Sequence, residues 1–166
     1  MHNNTLRLAQ GALIAAVYVV LTLLFAPISY GQLQVRIAEI LTILPMFTFS
    51  AVPGLFIGCL LANLIAGAAA IDVWLGSLAT LIGAALGYVL RRNRWLVPLP
   101  TVIANALIIP VVLKYGYGIV EFPYPLQALY IGIGEILGCF VLGELLATAL
   151  LKRKDRLAFI QKQGRP

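Results

Sequence analysis

The chain has 166 residues, of which 61% are hydrophobic and 11% are charged, and its formal net charge is +6. Soluble domains carry about a quarter charged residues, so this composition excludes an ordinary soluble domain. His2 is the only histidine, which excludes a histidine-based metal centre. The chain also has no G-x-x-x-x-G-K-[ST] motif, the phosphate-binding loop of many ATPases.

Charged residues are missing from four long stretches, 8–35, 40–71, 73–90 and 95–113. Each stretch is long enough for a membrane helix, which needs about 20 mainly apolar residues. The first stretch follows a basic residue, as a signal peptide does, but further apolar stretches come after it instead of a soluble domain. The sequence therefore predicts an all-α integral membrane protein.

The apolar pattern directly predicts four membrane helices, Ala9–Phe25, Trp74–Leu90, Leu99–Leu113 and Leu126–Leu151. The run 37–67 is too long for a single crossing, and two prolines and a glycine interrupt it, at Pro45, Pro53 and Gly54. We expect two short helices there, Ile37–Thr48 and Gly54–Ala66, each about 20 Å long. The prediction is one domain of six transmembrane helices, residues 1–151, followed by a basic tail, residues 152–166.

Basic residues predict the orientation in the membrane. With six crossings and a cytoplasmic N-terminus, the only Lys or Arg residues placed outside are Arg36 and Lys114, whereas ten lie inside. This distribution follows the positive-inside rule. We expect a multi-pass protein of a bacterial-type plasma membrane with both termini in the cytoplasm. The basic tail serves as a topology signal and a lipid-surface anchor, which is favoured over nucleic-acid binding.

Acidic residues within the apolar stretches are the first candidates for function. Glu135 lies about 13 Å along the last predicted helix, where an ionised carboxylate is costly unless it faces a cavity, a partner charge or a ligand. Glu144 lies nine residues later on the opposite face, where we expect it to meet a partner protein or a neighbouring arginine. Asp72 directly precedes a predicted helix, so both an N-cap and a ligand contact are open.

Arg36 and Glu39 are spaced to share one face of the second predicted helix. They form either a local ion pair or, together with Glu135, part of a pocket in which the arginine balances the excess carboxylate charge. The segment before them, 28–35 with the sequence ISYGQLQV, is polar at alternate positions and includes Gln34. We expect this segment to fold over the pocket as a lid.

Asn63 and Asn105 each place an amide in an apolar run, where it either bonds a neighbouring helix or contacts a ligand. Cys59 and Cys139 are expected to be small packing residues. Five aromatic residues are predicted near the outer face, either at the membrane interface or stacked on a flat ligand: Tyr115, Tyr117, Phe122, Tyr124 and Tyr130. Small residues at four-residue spacing recur in the predicted helices and allow close helix packing.

Four stretches together resemble the QueT family, the queuosine-precursor substrate-binding (S) components of energy-coupling factor (ECF) transporters: ISYGQLQVRIAEILTILP, PGLFIGCLLANLIAG, DVWLGSLATLIGAALGYVLRR and ALYIGIGEILGCFVLG. The resemblance implies a six-helix S-component bundle with an extracellular lid after the first helix. It implies three partners as well, a transmembrane coupling protein and two cytoplasmic ATPases. The resemblance also implies that the chain docks on its partners through a face of small residues on the first helix, which here contains Ala12 and Ala16.

The ligand that the resemblance implies is a 7-deazaguanine, either queuine or its aminomethyl precursor, with no cofactor and no metal. The guanine edge offers two parallel donors that a carboxylate accepts, and the side-chain amine favours a second carboxylate. The candidate carboxylates are Glu39, Asp72 and Glu135. The ring carbonyl needs a donor, for which Arg36, Asn63 and Asn105 are candidates. Trp74 or an outer tyrosine is a candidate to stack on the ring.

Two other classes of function remain beside an S component. A self-sufficient secondary carrier would use Glu135 as its proton-coupling site, although no inverted repeat is visible in the sequence. A membrane enzyme is disfavoured because no serine–histidine pair or metal-ligand cluster is visible in the sequence.

Overall fold

The structure is a computed structural model that describes residues 2–26 and 36–163, with side chains described for residues 4–26 and 36–153. The described chain is entirely helical. Its elements in order are α1 (His2–Leu24), a 3₁₀ helix (Ile37–Met46), α2 (Ala51–Ile65), α3 (Ala70–Val89), a short 3₁₀ turn (Arg94–Leu96), α4 (Leu99–Gly116), α5 (Tyr124–Glu135), a π-helical segment (Ile136–Leu142) and α6 (Gly143–Gln163). The last three form one continuous helix.

Four helices are long and apolar enough to cross a membrane, over the residues Asn4–Leu24, Ala70–Val89, Arg94–Gly116 and Tyr124–Arg153. The 3₁₀ helix and α2 are shorter apolar helices. The interrupted run 37–67 therefore does form two short helices. The predicted lid, 28–35 with Gln34, lies outside the described residues.

Two details of the helix boundaries differ from the prediction. Pro45 lies inside the 3₁₀ helix, as the predicted helix Ile37–Thr48 requires, but α2 begins at Ala51 and not at Gly54, so Pro53 lies in its first turn. Proline is tolerated in a first turn because the N–H that it lacks has no partner inside the helix there. The prediction of Asp72 as an N-cap is wrong, since α3 begins at Ala70 and Asp72 lies in its first turn without a capping bond.

Small residues bring α1 and α2 into close contact. A β-carbon on Gly58 would lie 2.8 Å from the Tyr18 Cβ and 3.0 Å from the Ala15 carbonyl oxygen, so only glycine fits at this crossing. Ala15 is buried on this side of α1, whereas Ala12 and Ala16 lie on the exposed side. In the apolar stretch of α1 only 17% of the residues are buried, whereas 61% are buried in the apolar stretch of the span 94–116. The helix α1 therefore leaves a broad apolar face uncovered.

Candidate functional site

Buried polar side chains from α1 to α5, the 3₁₀ helix with the residue before it, and the π-helical segment meet in the half of the bundle opposite Arg91 and Arg94. We call this group the buried cluster, and its members are at most 3% exposed: Tyr18, Arg36, Glu39, Cys59, Asn63, Asp72, Asn105, Glu135 and Cys139. Six of these residues are among the eight substrate-binding residues predicted from the sequence. Charged and amide groups at this burial need partners or a ligand, because removing them from water is costly.

The turn between α2 and α3 positions one side of the cluster. Gly67 adopts a left-handed conformation, with φ of 68°, and its N–H and that of Ala68 bond to the Leu64 and Asn63 carbonyls at 3.2 and 2.9 Å. These two bonds form a Schellman motif, which ends a helix and reverses the chain. As a result, the Asn63 amide reaches across and donates to the backbone oxygen of Asp72 at 3.3 Å. The predicted interhelical hydrogen bond of Asn63 is confirmed.

Arg36 is paired with Asp72 rather than with its sequence neighbour. The Arg36 Nη2 lies 3.5 Å from the Asp72 Oδ1, and no ion pair joins Arg36 to Glu39 in the described structure, so the local ion pair is wrong. The Tyr117 hydroxyl donates to the Asp72 Oδ2 at 2.8 Å. Burial and the neighbouring Asp72 charge raise the pKa of Tyr117 to about 12, so the phenol stays protonated as a donor. Asp72 is thus held by Arg36, by Tyr117 and, through its backbone oxygen, by Asn63.

Glu39 and Glu135 face each other on the other side of the cluster. The Tyr18 hydroxyl donates to the Glu39 Oε1 at 2.8 Å, and the Cys139 thiol donates to the Glu135 Oε2 at 3.3 Å. A carboxylate oxygen of each glutamate and the Cys139 Sγ lie within 4.8 Å of one another, close enough to hold one metal ion. Two carboxylates at this separation repel each other unless a proton or a cation lies between them.

The helix geometry around Glu135 explains how the two glutamates come together. Glu135 is the last residue of α5, and the π-helical segment begins directly after it. Such π-helical turns are rare and occur often at functional sites. A β-carbon on Gly138, within this segment, would lie 3.2 Å from the Arg36 carbonyl oxygen and 3.6 Å from the Glu39 Cβ. The glycine therefore lets the 3₁₀ helix, and Glu39 with it, approach the last helix.

Several buried polar atoms of the cluster have no hydrogen-bond partner among the described residues. They are the Glu39 Oε2 and both amide atoms of Asn105, which lies beside Glu135. Buried polar groups are nearly always bonded, so a free acceptor and a free amide at one place point to a ligand or water. Asn105 faces the Glu135 carboxylate on the neighbouring helix, so an interhelical contact and a ligand contact both stay predictions for this amide.

The charges of the cluster do not balance. Within the described residues, Arg36 is its one cation, whereas Glu39, Asp72 and Glu135 are carboxylates. An excess of buried negative charge is unfavourable and is relieved by a bound cation or by protons. The cluster can therefore accept hydrogen bonds from a flat donor edge and neutralise a positively charged group.

Trp74, a predicted substrate-binding residue, lies apart from the cluster, and three members of the cluster were not predicted as site residues. Trp74 is 68% exposed, although it follows Asp72 closely, and Gln34 lies outside the described residues. These three members are Tyr18, Cys59 and Cys139. Tyr18 stands seven residues after Gly11 on the face of α1 that meets α2, and Cys139 stands one turn after Glu135, so helical spacing was the available signal.

Glu144 lies away from the cluster. The Arg94 Nη2 is 2.6 Å from its Oε2, which confirms the expected neighbouring arginine.

Comparisons with known proteins place the chain in a family. The family described as QueT transporter matches residues 8–152. The queuosine precursor transporter QueT of Lactococcus lactis subsp. cremoris (strain MG1363) is 36% identical over 90 residues, which cover 53% of this chain and 53% of that protein. The aligned part thus spans about half of that curated relative. No solved structure matches the chain. Because the family match covers most of the described residues, the chain belongs to the QueT transporter family.

Proposed function

We propose that this chain is the substrate-binding subunit of an ECF-type importer that captures a queuosine precursor of the 7-deazaguanine class from outside the cell. The observation that carries the proposal is the buried cluster, with three carboxylates, one arginine and an unpartnered amide. The queuosine-precursor name of the Lactococcus relative supports the class of ligand. In this proposal the six helices form an S-component bundle, and the segment 28–35 closes over the ligand.

The chemistry of a 7-deazaguanine fits the atoms that lack partners. The ring N–H and the exocyclic amine of the guanine edge are parallel donors, and the Glu39 Oε2 is a free acceptor for them. The Asn105 amide is free to donate to the ring carbonyl and to accept from a ring N–H. The cationic side-chain amine of queuine or of 7-aminomethyl-7-deazaguanine would be neutralised by Glu135. Arg36 and Asp72 hold the opposite wall.

The proposal includes partners that supply the energy for uptake. These are a transmembrane coupling protein and two cytoplasmic ATPases, and the chain docks on the coupling protein through α1. Support comes from the broad apolar face that α1 leaves unburied, on which Ala12 and Ala16 are exposed. In this arrangement the protein lies in the plasma membrane with both termini in the cytoplasm and the tail, 152–166, at the lipid surface.

Calorimetry on the detergent-purified chain tests the proposal. We expect queuine or 7-aminomethyl-7-deazaguanine to bind with one-to-one stoichiometry, whereas guanine, which lacks the side-chain amine, binds more weakly and riboflavin does not bind. A folded chain that binds neither deazaguanine contradicts the proposal.

A self-sufficient carrier is the second candidate. The close approach of Glu39 and Glu135, with Cys139 beside them, favours it because such a pair can take up and release a proton. Proteoliposomes containing only this chain distinguish the two functions. Uptake of the deazaguanine driven by a pH gradient, without ATPases, would establish the carrier, whereas an S component binds the ligand there but does not concentrate it.

A further inference from the structure

A cavity lies between the end of α4 and the start of α5, and no residue of the buried cluster lines it. Its volume is about 540 Å³, within the range of about 300–1,000 Å³ typical of small-molecule sites. We call it the aromatic pocket. Three aromatic residues, Tyr115, Phe122 and Tyr124, line it together with one lysine and one glutamate, Lys114 and Glu121. The proposed function uses none of the residues that line this pocket.

The walls of the aromatic pocket are fixed by contacts outside it. Phe122 packs edge-to-face against Tyr130, with ring centroids 5.5 Å apart. The Tyr124 hydroxyl donates to the Leu107 carbonyl at 2.6 Å. Aromatic faces held in this way suit a flat ring, and Lys114 and Glu121 give the pocket one charge of each sign. The pocket therefore fits a flat heterocycle with polar substituents.

A thin apolar layer separates the aromatic pocket from the buried cluster. On α5, Gln127 lines the pocket, Ile131 follows one turn later with 0% exposure, and Glu135 follows after one more turn. Along α4 the chain runs in the opposite direction, from Asn105 in the cluster to Ile109 and Leu113 in the layer. One helical turn rises about 5.4 Å, so the layer is only about two turns thick.

Ile119 joins the pocket to the layer. It lines the aromatic pocket and also packs against the buried residues Ile109, Leu113 and Ile131. Its carbonyl accepts a hydrogen bond from the Gln127 Nε2 at 3.3 Å. A movement of the loop that carries Ile119 would therefore change both the pocket and the layer.

We propose that the aromatic pocket is a first binding site for the ligand and that the layer of Ile109, Leu113, Ile119 and Ile131 is the barrier between this site and the buried cluster. The identity of the ligand rests on the proposed function. A polar heterocycle crosses an apolar layer slowly because its donors and acceptors lose water without gaining partners. Binding thus proceeds in two steps, fast capture on the aromatic rings and slow passage into the cluster.

Stopped-flow fluorescence on the full-length chain in detergent tests the two steps, with 7-aminomethyl-7-deazaguanine as the probe. The variant Trp95→Phe leaves Trp74 as the single tryptophan and serves as the parent. We expect its observed rate to rise with probe concentration and then reach a plateau, where the concentration at half-plateau reports capture and the plateau reports passage. A rate that rises linearly up to 1 mM probe would overturn the proposal.

Variants of the layer and of the pocket separate the two steps. Ile131→Ala, or the milder Ile131→Val if the first does not fold, should raise the plateau by at least about fivefold for alanine, since the barrier is thinner. Leu129→Ala is the matched control, because Leu129 is 56% exposed on the same helix. Tyr115→Ala should raise the half-plateau concentration about fivefold and leave the equilibrium Kd unchanged.

Other outcomes of these measurements would contradict the proposal. An equal effect of Ile131→Ala and Leu129→Ala removes the layer as the barrier. If Tyr115→Ala raises the equilibrium Kd, the aromatic pocket is the final site, and if it changes neither quantity, the pocket takes no part in binding; both results overturn the proposal. Absence of equilibrium binding by the parent chain contradicts the proposed function itself, whereas normal binding with unaltered variants contradicts only the two-step route.

Discussion

Two ion pairs of this protein lie at opposite ends of the bundle and differ in almost every respect. Arg36 and Asp72 are 3% and 0% exposed and lie 3.5 Å apart, within a cluster that holds two further carboxylates. Arg94 and Glu144 are 33% and 11% exposed and lie 2.6 Å apart, one charge against one. The second pair balances its own charge, whereas the first leaves an excess of negative charge.

This difference separates a structural contact from a binding site. A balanced, partly exposed pair gains little stability and needs no further partner. A buried group with surplus carboxylates and free amide atoms is unfavourable as it stands, so a ligand that neutralises it gains affinity from that imbalance. Variants at the two ends of the bundle should therefore differ in stability and in ligand binding.

The largest effect should come from Arg36→Ala. Removing the one cation of the buried cluster leaves three buried carboxylates without compensation, and breaking a buried pair in this way costs about 3–5 kcal/mol. Unfolding of the ligand-free chain in mild detergent measures this loss. Arg94→Ala is the control and should cost about 1 kcal/mol or less. Equal losses for the two variants would remove the distinction between the two pairs.

Glu135→Gln should abolish most ligand binding without harming the fold. The amide keeps the size of the side chain but loses the charge that a cationic amine requires, so we expect the Kd for 7-aminomethyl-7-deazaguanine to rise about 100-fold. Calorimetry measures the change, and Glu144→Gln is the matched variant at the other end, for which the Kd stays the same. A Kd within threefold of the unmodified chain would show that Glu135 does not touch the ligand.

Gly58→Ala tests whether the crossing of α1 and α2 supports the cluster. The new methyl group would meet the Tyr18 Cβ at 2.8 Å and the Ala15 carbonyl oxygen at 3.0 Å, and such overpacking costs about 1–3 kcal/mol. Because Tyr18 holds Glu39, the variant should also weaken ligand binding severalfold.

The control for this variant is another helical glycine, Gly132, whose β-carbon would lie 3.8 Å from the Ala106 Cβ. Gly132→Ala should gain about 0.5–1 kcal/mol of stability in unfolding measurements, since alanine favours the helix. A stable Gly58→Ala chain with unchanged affinity would mean that the two helices adjust without moving Tyr18.

Only some features of the fold and of the buried cluster are predictable from the sequence alone. The helices and Glu135 were predictable because long gaps in charge mark membrane helices and a carboxylate within such a gap is conspicuous. The partner of Arg36 was not, because Glu39 is three residues away in sequence, whereas Asp72 comes close only through the turn at Gly67. Nor was the π-helical segment predictable, since its residues read as ordinary apolar helix.

The smallest effect should come from the Arg94–Glu144 pair itself. A double-mutant cycle with Arg94→Gln, Glu144→Gln and both together should give a coupling energy of about 0.2–1 kcal/mol, because solvent reaches Arg94 and screens the attraction. Raising the salt concentration should reduce the coupling further. A coupling above about 2 kcal/mol that resists salt would instead make this pair comparable to Arg36–Asp72. The lack of surplus charge, and not the weakness of the contact, would then be what distinguishes it from the binding site.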